Sequence, residues 1–308
     1  MPLRPAYSTH PPRATLEELR SCFTLYMLAK GLWTEVEEIR QAELDSRLAF
    51  DEKEHKYTYF APEGGAFTPQ SVTRVVHDLF PPFDSEAVAK GMILREDFPH
   101  AERYKDYRGL VAAAGGDIPK LVSMILQKWQ IDAYVASALG HEVHAAMECR
   151  MKEPDYNMHV ERGLEYEFGR KYLCDLEAGG WMPLYAERRI CQPKWGIAGS
   201  VDAMFVHKES RRCILVDWKR SKAITRFAFG GKTGLGFASV IPDCNYYHYV
   251  LQLNFYCVML ESEPYNMNFD NMYIVRLHPN STTQAAEVIP VPCMREMVRR
   301  ILSARCPL

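Results

Sequence analysis

Asp202, Asp217 and Lys219 are the residues whose types and spacing point most directly to chemistry. Asp202 lies in the run Gly196 to Phe205, where Val201, Ala203 and Phe205 alternate. That alternation predicts a strand with Asp202 on its opposite face. Cys213 to Val216 is a continuous apolar run, the pattern of a strand buried on both faces, and it leads into Asp217-Trp218-Lys219-Arg220. His207 to Arg212 between the two is polar enough for a hairpin turn. A hairpin would bring Asp202 beside Asp217, with Lys219 projecting from the same face as Asp217. Two carboxylates near a core repel one another and are costly to bury without a cation. A divalent metal answers both problems, and hard oxygen ligands suit Mg²⁺ or Mn²⁺. Lys219 would then hold or deprotonate a metal-activated water. Asp-x-Lys taken alone is short and common, and on its own it is more often a structural ion pair at a strand end.

Gly199-x-x-Asp202, then Asp217-Trp218-Lys219-Arg220-Ser221-Lys222, then Gln252-Leu253-Asn254-Phe255-Tyr256 follow one another in that order. Over roughly residues 139–279 this order and spacing resemble the PD-(D/E)XK nuclease superfamily. The likeness is greatest to its RecB-like, lambda-exonuclease-like branch, which includes mitochondrial genome maintenance and viral exonucleases. The resemblance implies a restriction-endonuclease-like αβββαβ core with a mixed sheet. It also implies Asp202 and Asp217 as metal ligands, the Trp218 backbone carbonyl in the same shell, Lys219 as the group that orients and activates water, and Gln252 and Tyr256 as the third motif on a helix. Gln252 and Tyr256 have the i, i+4 spacing that shares a helical face. In that role they position the nucleic-acid strand, Tyr256 by stacking or a phosphate hydrogen bond.

Two further residues enter by the same resemblance. Gly140, His144 and Glu148 match a Gly-x-x-x-His-x-x-x-Glu helix whose histidine helps ligate the metal, so His144 is an expected ligand. A lone helical histidine is otherwise most often structural. Glu187 stands where some relatives carry an additional acid near the metal, and a surface ion pair is the alternative. Some relatives also hold a four-cysteine iron–sulfur cluster; Cys293 and Cys306 lack the grouping that would need. Gly230-Gly231-Lys232-Thr233 is similar to a phosphate-binding loop, but Arg226 stands where that loop needs glycine, which excludes an ATPase on this motif.

The elements that must position these groups read as follows. Thr15 and Glu18 form a capping-box pattern opening a helix to about Trp33, after a proline-rich arm. A second helix is expected over Glu35 to Leu48. Lys56 to Phe60, the Glu63-Gly64-Gly65 turn and Phe67 predict a hairpin. Ser71 opens a helix through Val75, Val76 and Leu79, and Asp84 to Glu96 continues helically. Pro99 to Gly116 reads as a flexible insertion. Ile118 to Met151 is a long helical region with a possible break near Gly140. Tyr156 to Gly180 is helical, Trp181 to Ile190 is a strand, and Phe227 to Phe237 is a mobile, basic, glycine-rich loop. Asn245 to Glu261 predicts a helix, Asn271 to Leu277 a strand, and Met294 to Leu302 a closing helix with Arg295, Arg299 and Arg300 exposed. Two units follow: residues 1–128, largely helical with a small hairpin, and residues 129–308, the nuclease core.

The 308 residues suffice for a sizeable core, and 47% hydrophobic with 25% charged content is that of a folded protein. The apolar stretch Phe23 to Ala29 is too short to span a bilayer, and the opening lacks a secretory pattern. Nine cysteines without a Cys-x-x-Cys argue for reduced thiols and an intracellular setting, in nucleus, cytoplasm or mitochondrion. Net charge is −2, yet Glu187 to Lys232 carries eleven Lys or Arg against four Asp or Glu. That basic segment, with Arg220, Lys222 and Arg226, would draw in backbone phosphates; a solvated basic face is the plain alternative. The expectation is therefore a Mg²⁺- or Mn²⁺-dependent hydrolase of DNA, single-stranded or at duplex ends, with no membrane partner and an oligomeric state left open. An RNA endonuclease with the same site, or a non-catalytic nucleic-acid-binding protein, are the alternatives.

Overall fold

The computed structural model describes residues 35–153, 163–262, 264, 265 and 267–305. The helix expected over Thr15 to Trp33, the segment Tyr156 to Arg162 and Cys306 lie outside the described residues.

After helix α1 (Glu35–Ser46), strands β1 (Leu48–Asp51), β2 (Lys56–Phe60) and β3 (Ala66–Phe67) form a small antiparallel sheet in the order β1-β2-β3. The β2–β3 hairpin matches the sequence pattern; β1 replaces the end of the expected second helix. Strand β4 (Gln70–Ser71) runs straight into α2 (Val72–Asp78), whose first turn is capped by Ser71 Oγ, accepting from Arg74 N at 3.2 Å. Asp84 caps α3 (Ser85–Ile93) in the same way, accepting from Ala87 N at 2.9 Å. The stretch expected to be a flexible insertion is ordered instead: a 3₁₀ turn over 102–107 and α4 (Arg108–Ala114).

Helix α5 (Ile118–Lys152) is 35 residues long and passes Gly140 without a break. One helical glycine costs only about 1 kcal/mol, and packing on either side of it outweighs that. Leu121, Val122 and Ile125 pack against Ala89 of α3 and Ala114 of α4, while Val143, Ala146 and Met147 pack on the main sheet. Residues 130–138 between those ends are all exposed. The unit boundary expected at residue 128 thus falls inside a continuous helix.

Then follow α6 (Leu164–Ala178), β5 (Trp181–Gln192), β6 (Ile197–His207), β7 (Cys213–Lys219), α7 (Asn245–Glu261), β8 (Asn271–Arg276), β9 (Glu287–Pro290) and α8 (Arg295–Arg305). The main sheet has six strands and is mixed. β6 pairs antiparallel with β5 and β7, β7 parallel with β8, and β8 antiparallel with β9. β4 adds a short parallel pairing to β6. Helices α5 and α6 cover one face, closing over Phe205, Val216 and Trp218. Helices α2, α7 and α8 cover the other, over Met204, Leu215 and Ile274. A sheet buried on both sides explains the unbroken apolar run of β7.

One feature of this topology makes room for a site. β5 occupies one edge of β6 along its length. The opposite edge is divided: β4 takes Ile197 and Ala198, and β7 takes Ala203 to Val206. Residues 199–202 between them have no strand partner on that edge among the described residues. β7 parts from β6 just past the Ala203–Val216 pair, where Asp202 and Asp217 would otherwise be opposite neighbours.

Candidate metal centre

The parting of β6 and β7 frees backbone groups that need partners. Trp218 N–H is satisfied by Asp202 Oδ2 at 2.8 Å, so a carboxylate stands in for the missing ladder carbonyl. Asp202 is 9% exposed and Asp217 1%. Lys219 Nζ lies 2.8 Å from both oxygens of Asp217, donating a hydrogen bond to Oδ1, while the buried Oδ2 takes none. Glu187 stands across from Asp202 on β5, between the Ala186–Ala203 and Arg188–Val201 pairs. It does so at φ 49°, a left-handed conformation that costs a non-glycine residue about 1–3 kcal/mol. Ser200 Oγ donates to Glu187 Oε2 at 3.1 Å and holds the carboxylate.

His144 reaches this point from α5. Its Nε2 is 2.8 Å from the Trp218 carbonyl, the contact of an N–H donating to a carbonyl oxygen. That leaves Nδ1 facing the acids, 3.4 Å from Glu187 Oε1 and 3.6 Å from Asp202 Oδ2. One ligand atom each of His144, Glu187 and Asp202 lie within 4.8 Å of one another, close enough to share one ion. A ligating histidine that donates its other ring N–H to a backbone carbonyl is the usual support for such a ligand.

The charges respond to this crowding. Burial raises Asp202 and opposes its ionisation, partly offset by His144 and Lys219. Burial also raises Asp217, to about 6, against the pull of Lys219. For His144 burial works downward, but Asp202 and Glu187 prevail and raise it to about 9. Lys219 is likewise penalised by burial and then raised overall by Asp217 and Asp202. In the metal-free protein the ammonium form is therefore favoured. The concentration of buried acid and a strained Glu187 fit a divalent cation, and a donor set of carboxylates with one imidazole suits Mn²⁺ at least as well as Mg²⁺.

The sequence-derived site residues fall into three groups. His144, Glu187 and Asp202 converge, with Asp217 and Lys219 beside them. Asp217 lies outside the close ligand cluster because it is held by Lys219. The Trp218 carbonyl is engaged by His144. Gln252 and Tyr256 share a face of α7, and Gln252 Nε2 donates to Tyr256 OH at 3.1 Å. Tyr256, however, is 3% exposed, packed under Gly199, and cannot stack on a base from solvent. A Cβ on Gly199 would sit 2.6 Å from Tyr256 Cε1, so the glycine of the Gly-x-x-Asp pattern exists to admit that ring. Arg220 also departs from expectation: its Nε donates to Glu165 Oε1 at 2.9 Å in a pair only 13% and 6% exposed, so it is structural and not a phosphate contact. Lys222 and Arg226 are exposed, and Arg226 lies over the Tyr246 ring at 4.5 Å. Glu148 turns away to pair with Lys152. Arg295 is half-buried, paired with Glu261 at 2.6 Å.

Three supporting residues escaped the sequence reading: Ser200, Glu165 and Tyr249, whose ring lies 5.0 Å from Lys219 Nζ. Tyr249 is one helical turn before Gln252, which was the available signal. No protein-family model and no curated protein matches the chain.

Proposed function

We propose that the chain is a metal-dependent phosphodiesterase acting on DNA, built on a restriction-endonuclease-like αβββαβ core of the PD-(D/E)XK type. The observation that carries this reading is the convergence of His144, Glu187 and Asp202, with a buried Asp217–Lys219 pair beside them, where β6 and β7 part. The order α5, α6, β5, β6, β7, α7, β8 contains the α, three-β, α, β succession with α6 inserted after α5, and supports the same core.

His144 through Nδ1, Glu187 and Asp202 would hold the ion, with Asp217 beside them in its pair with Lys219. A Mg²⁺ or Mn²⁺ ion there supplies Lewis-acid polarisation of a phosphoryl oxygen and makes a water acidic enough to attack at neutral pH. The chain's own groups do the rest. Asp217 and the Tyr249 ring fix the Lys219 ammonium, which donates to the attacking water or to a phosphate oxygen as negative charge gathers there. Ser200 fixes Glu187, and the Trp218 carbonyl fixes the tautomer of His144. Gln252 and Tyr256 hold α7 against β6. Lys222 and Arg226 attract the backbone. The water oxygen joins phosphorus as the P–O bond to the departing sugar breaks, and one water is consumed per bond. The unbridged cysteines Cys191, Cys244 and Cys257 accord with an intracellular setting. Among the described residues no helix is long and apolar enough to cross a membrane.

Digestion of end-labelled linear, flapped and closed circular DNA with Mg²⁺ and Mn²⁺ tests the proposal, with Asp202→Asn and Asp217→Asn as controls. Metal-dependent products lost in both variants are expected. No product from any substrate, or equal product from the variants, would overturn it.

A further inference from the structure

Apart from the acid cluster, the molecule carries a groove of about 590 Å³ between α3, the following 3₁₀ turn and the loop that links β7 to α7. None of His144, Glu187, Asp202, Asp217 or Lys219 lines it. Arg95 and Arg103 rise from one wall, and Phe229 and Lys232 from the other. Asp84 is the one acid of the lining, and its carboxylate is occupied in capping α3. Arg103 pairs with Asp97, whereas Arg95 and Lys232 have no carboxylate within ion-pair distance among the described residues.

The apolar groups here are displayed, not hidden. Phe229 is 70% exposed and Phe227 87%, and Leu235, Phe237 and Val240 are exposed beside them. A slack loop would fold such rings inward. This one is fastened through its backbone on either side of Phe227 and Phe229. Leu235 N donates to Leu79 O at 2.7 Å, Gly234 N to Ile241 O at 2.9 Å, and Asp243 N to Lys232 O at 2.9 Å. Asn245 fastens the start of the loop through Ala223 O and Thr225. Gly234 is pressed so close to Leu79 O and Ala238 that no side chain fits there. The loop is thus fastened on either side of Phe227 and Phe229, which stand in solvent between the two fastened stretches, Phe229 beside a guanidinium group. The Arg95 guanidinium carbon lies 5.9 Å from the Phe229 ring centre, and that of Arg103 lies 4.8 Å from the ring of Tyr104.

Two unpaired cations beside one open aromatic face fit a polyanion that carries flat, unpaired rings. We infer that this groove binds single-stranded DNA, Phe229 stacking on a base while Arg95 and Lys232 take the flanking phosphates. The inference rests on the nuclease reading for the identity of the polymer, and it narrows the substrate to a single strand or a single-stranded end. The loop begins at Arg220, directly after Lys219, and ends at α7. A duplex keeps its base faces stacked and offers Phe229 nothing.

The test is fluorescence anisotropy of the full chain with a labelled oligothymidylate in EDTA, so that binding is read without cleavage. The matched duplex and phosphatidylserine vesicles serve as rival ligands. Phe229→Ala should weaken single-strand binding by roughly five- to hundredfold and leave duplex binding unchanged. Phe229→Leu, which keeps apolar bulk without a π face, should lose nearly as much, and Phe229→Tyr should retain affinity. The double change Arg95→Gln and Lys232→Gln should lower the slope of log K against log salt by about 1.4. Full affinity in Phe229→Leu, equal losses on duplex, or a Phe229 dependence seen only with vesicles would each overturn the inference. The two readings fail separately. Phe229-dependent single-strand binding in a protein that cleaves nothing removes the nuclease and leaves the groove. Metal-dependent cleavage with Phe229→Ala neutral on single strands removes the groove and leaves the nuclease.

Discussion

Gly199→Ala tests whether the two halves of the sequence pattern, Gly-x-x-Asp on β6 and Gln-x-x-x-Tyr on α7, are one packing unit. The added methyl would sit 2.6 Å from Tyr256 Cε1 and 3.1 Å from its hydroxyl. Carbon atoms pack at about 3.5–4.0 Å, so ring or strand must yield by about 1 Å. Neither moves freely: Tyr256 is 3% exposed, its hydroxyl is held by Gln252, and Gly199 is paired with Ile190 of β5. Overpacking of this kind costs about 1–3 kcal/mol. Against it stands the ~0.4–1 kcal/mol that alanine gains over glycine by restricting the unfolded chain. Strain wins, and a net loss of about 1–2 kcal/mol, or a few degrees in Tm, is expected. Turnover should fall too, because Asp202 is three residues along the strand. Tyr256→Ala alone opens a cavity worth about 3–5 kcal/mol. In the double variant the Gly199 methyl has room, so the two costs should fall short of additivity by 1 kcal/mol or more, roughly. Urea denaturation of the four proteins measures this. A Gly199→Ala protein as stable as wild type, or strictly additive costs, would refute the packing argument.

Three more outcomes follow from the charges. In the metal-free protein the fold favours the His144 cation, so the stability it lends is complete below pH 6.5 and is lost as pH rises through about 9; Asp217, raised from 3.8 to about 6, withdraws stability in the same direction over that lower range. Coordination needs the neutral imidazole, so Mn²⁺ should raise Tm more at about pH 8.5 than at about pH 6.5 by calorimetry, and His144→Ala should abolish the difference; equal shifts at both pH values would refute it. Lys219→Met leaves the Asp217 carboxylate buried and unpaired and should destabilise by about 3–5 kcal/mol at about pH 8, with Asp217→Asn in the same chain restoring most of it; denaturation curves that show no rescue count against the pair. Arg220→Gln should lower stability through the lost Glu165 pair without changing the salt dependence of DNA binding, whereas Arg226→Gln should reduce that slope by about 1 with stability intact; the reverse pattern in a binding titration would return Arg220 to the phosphates.

How much of this was legible in the chain depended on the reach of each signal. The β6–β7 hairpin was readable because alternation, apolar run and polar turn all lie within 24 residues, Gly196 to Lys219. The pairing it predicted does form, and it stops one step short of the two aspartates. Helix α7 was readable from its spacing, but spacing could not say which way Tyr256 faces; Gly199, 57 positions earlier in the sequence, decides that. Arg220 read as a phosphate contact because its partner Glu165 is 55 residues away. The parallel β4–β6 contact rests on two residues and leaves no periodic trace. α4 was hidden by the glycines and charges on either side of it, and its order comes from packing on α5. The cluster of His144 with Glu187 needed the resemblance, since nothing local marks either residue as a ligand.

Helix α5 has one more consequence. At about 1.5 Å per residue it is a strut about 52 Å long. One end is clamped by the wall of the groove and the other carries His144. Across 130–138 the helix is exposed, so its own backbone joins the two ends there. The seating of α3 and α4 and the position of one imidazole beside Asp202 and Glu187 are therefore linked through one continuous helix.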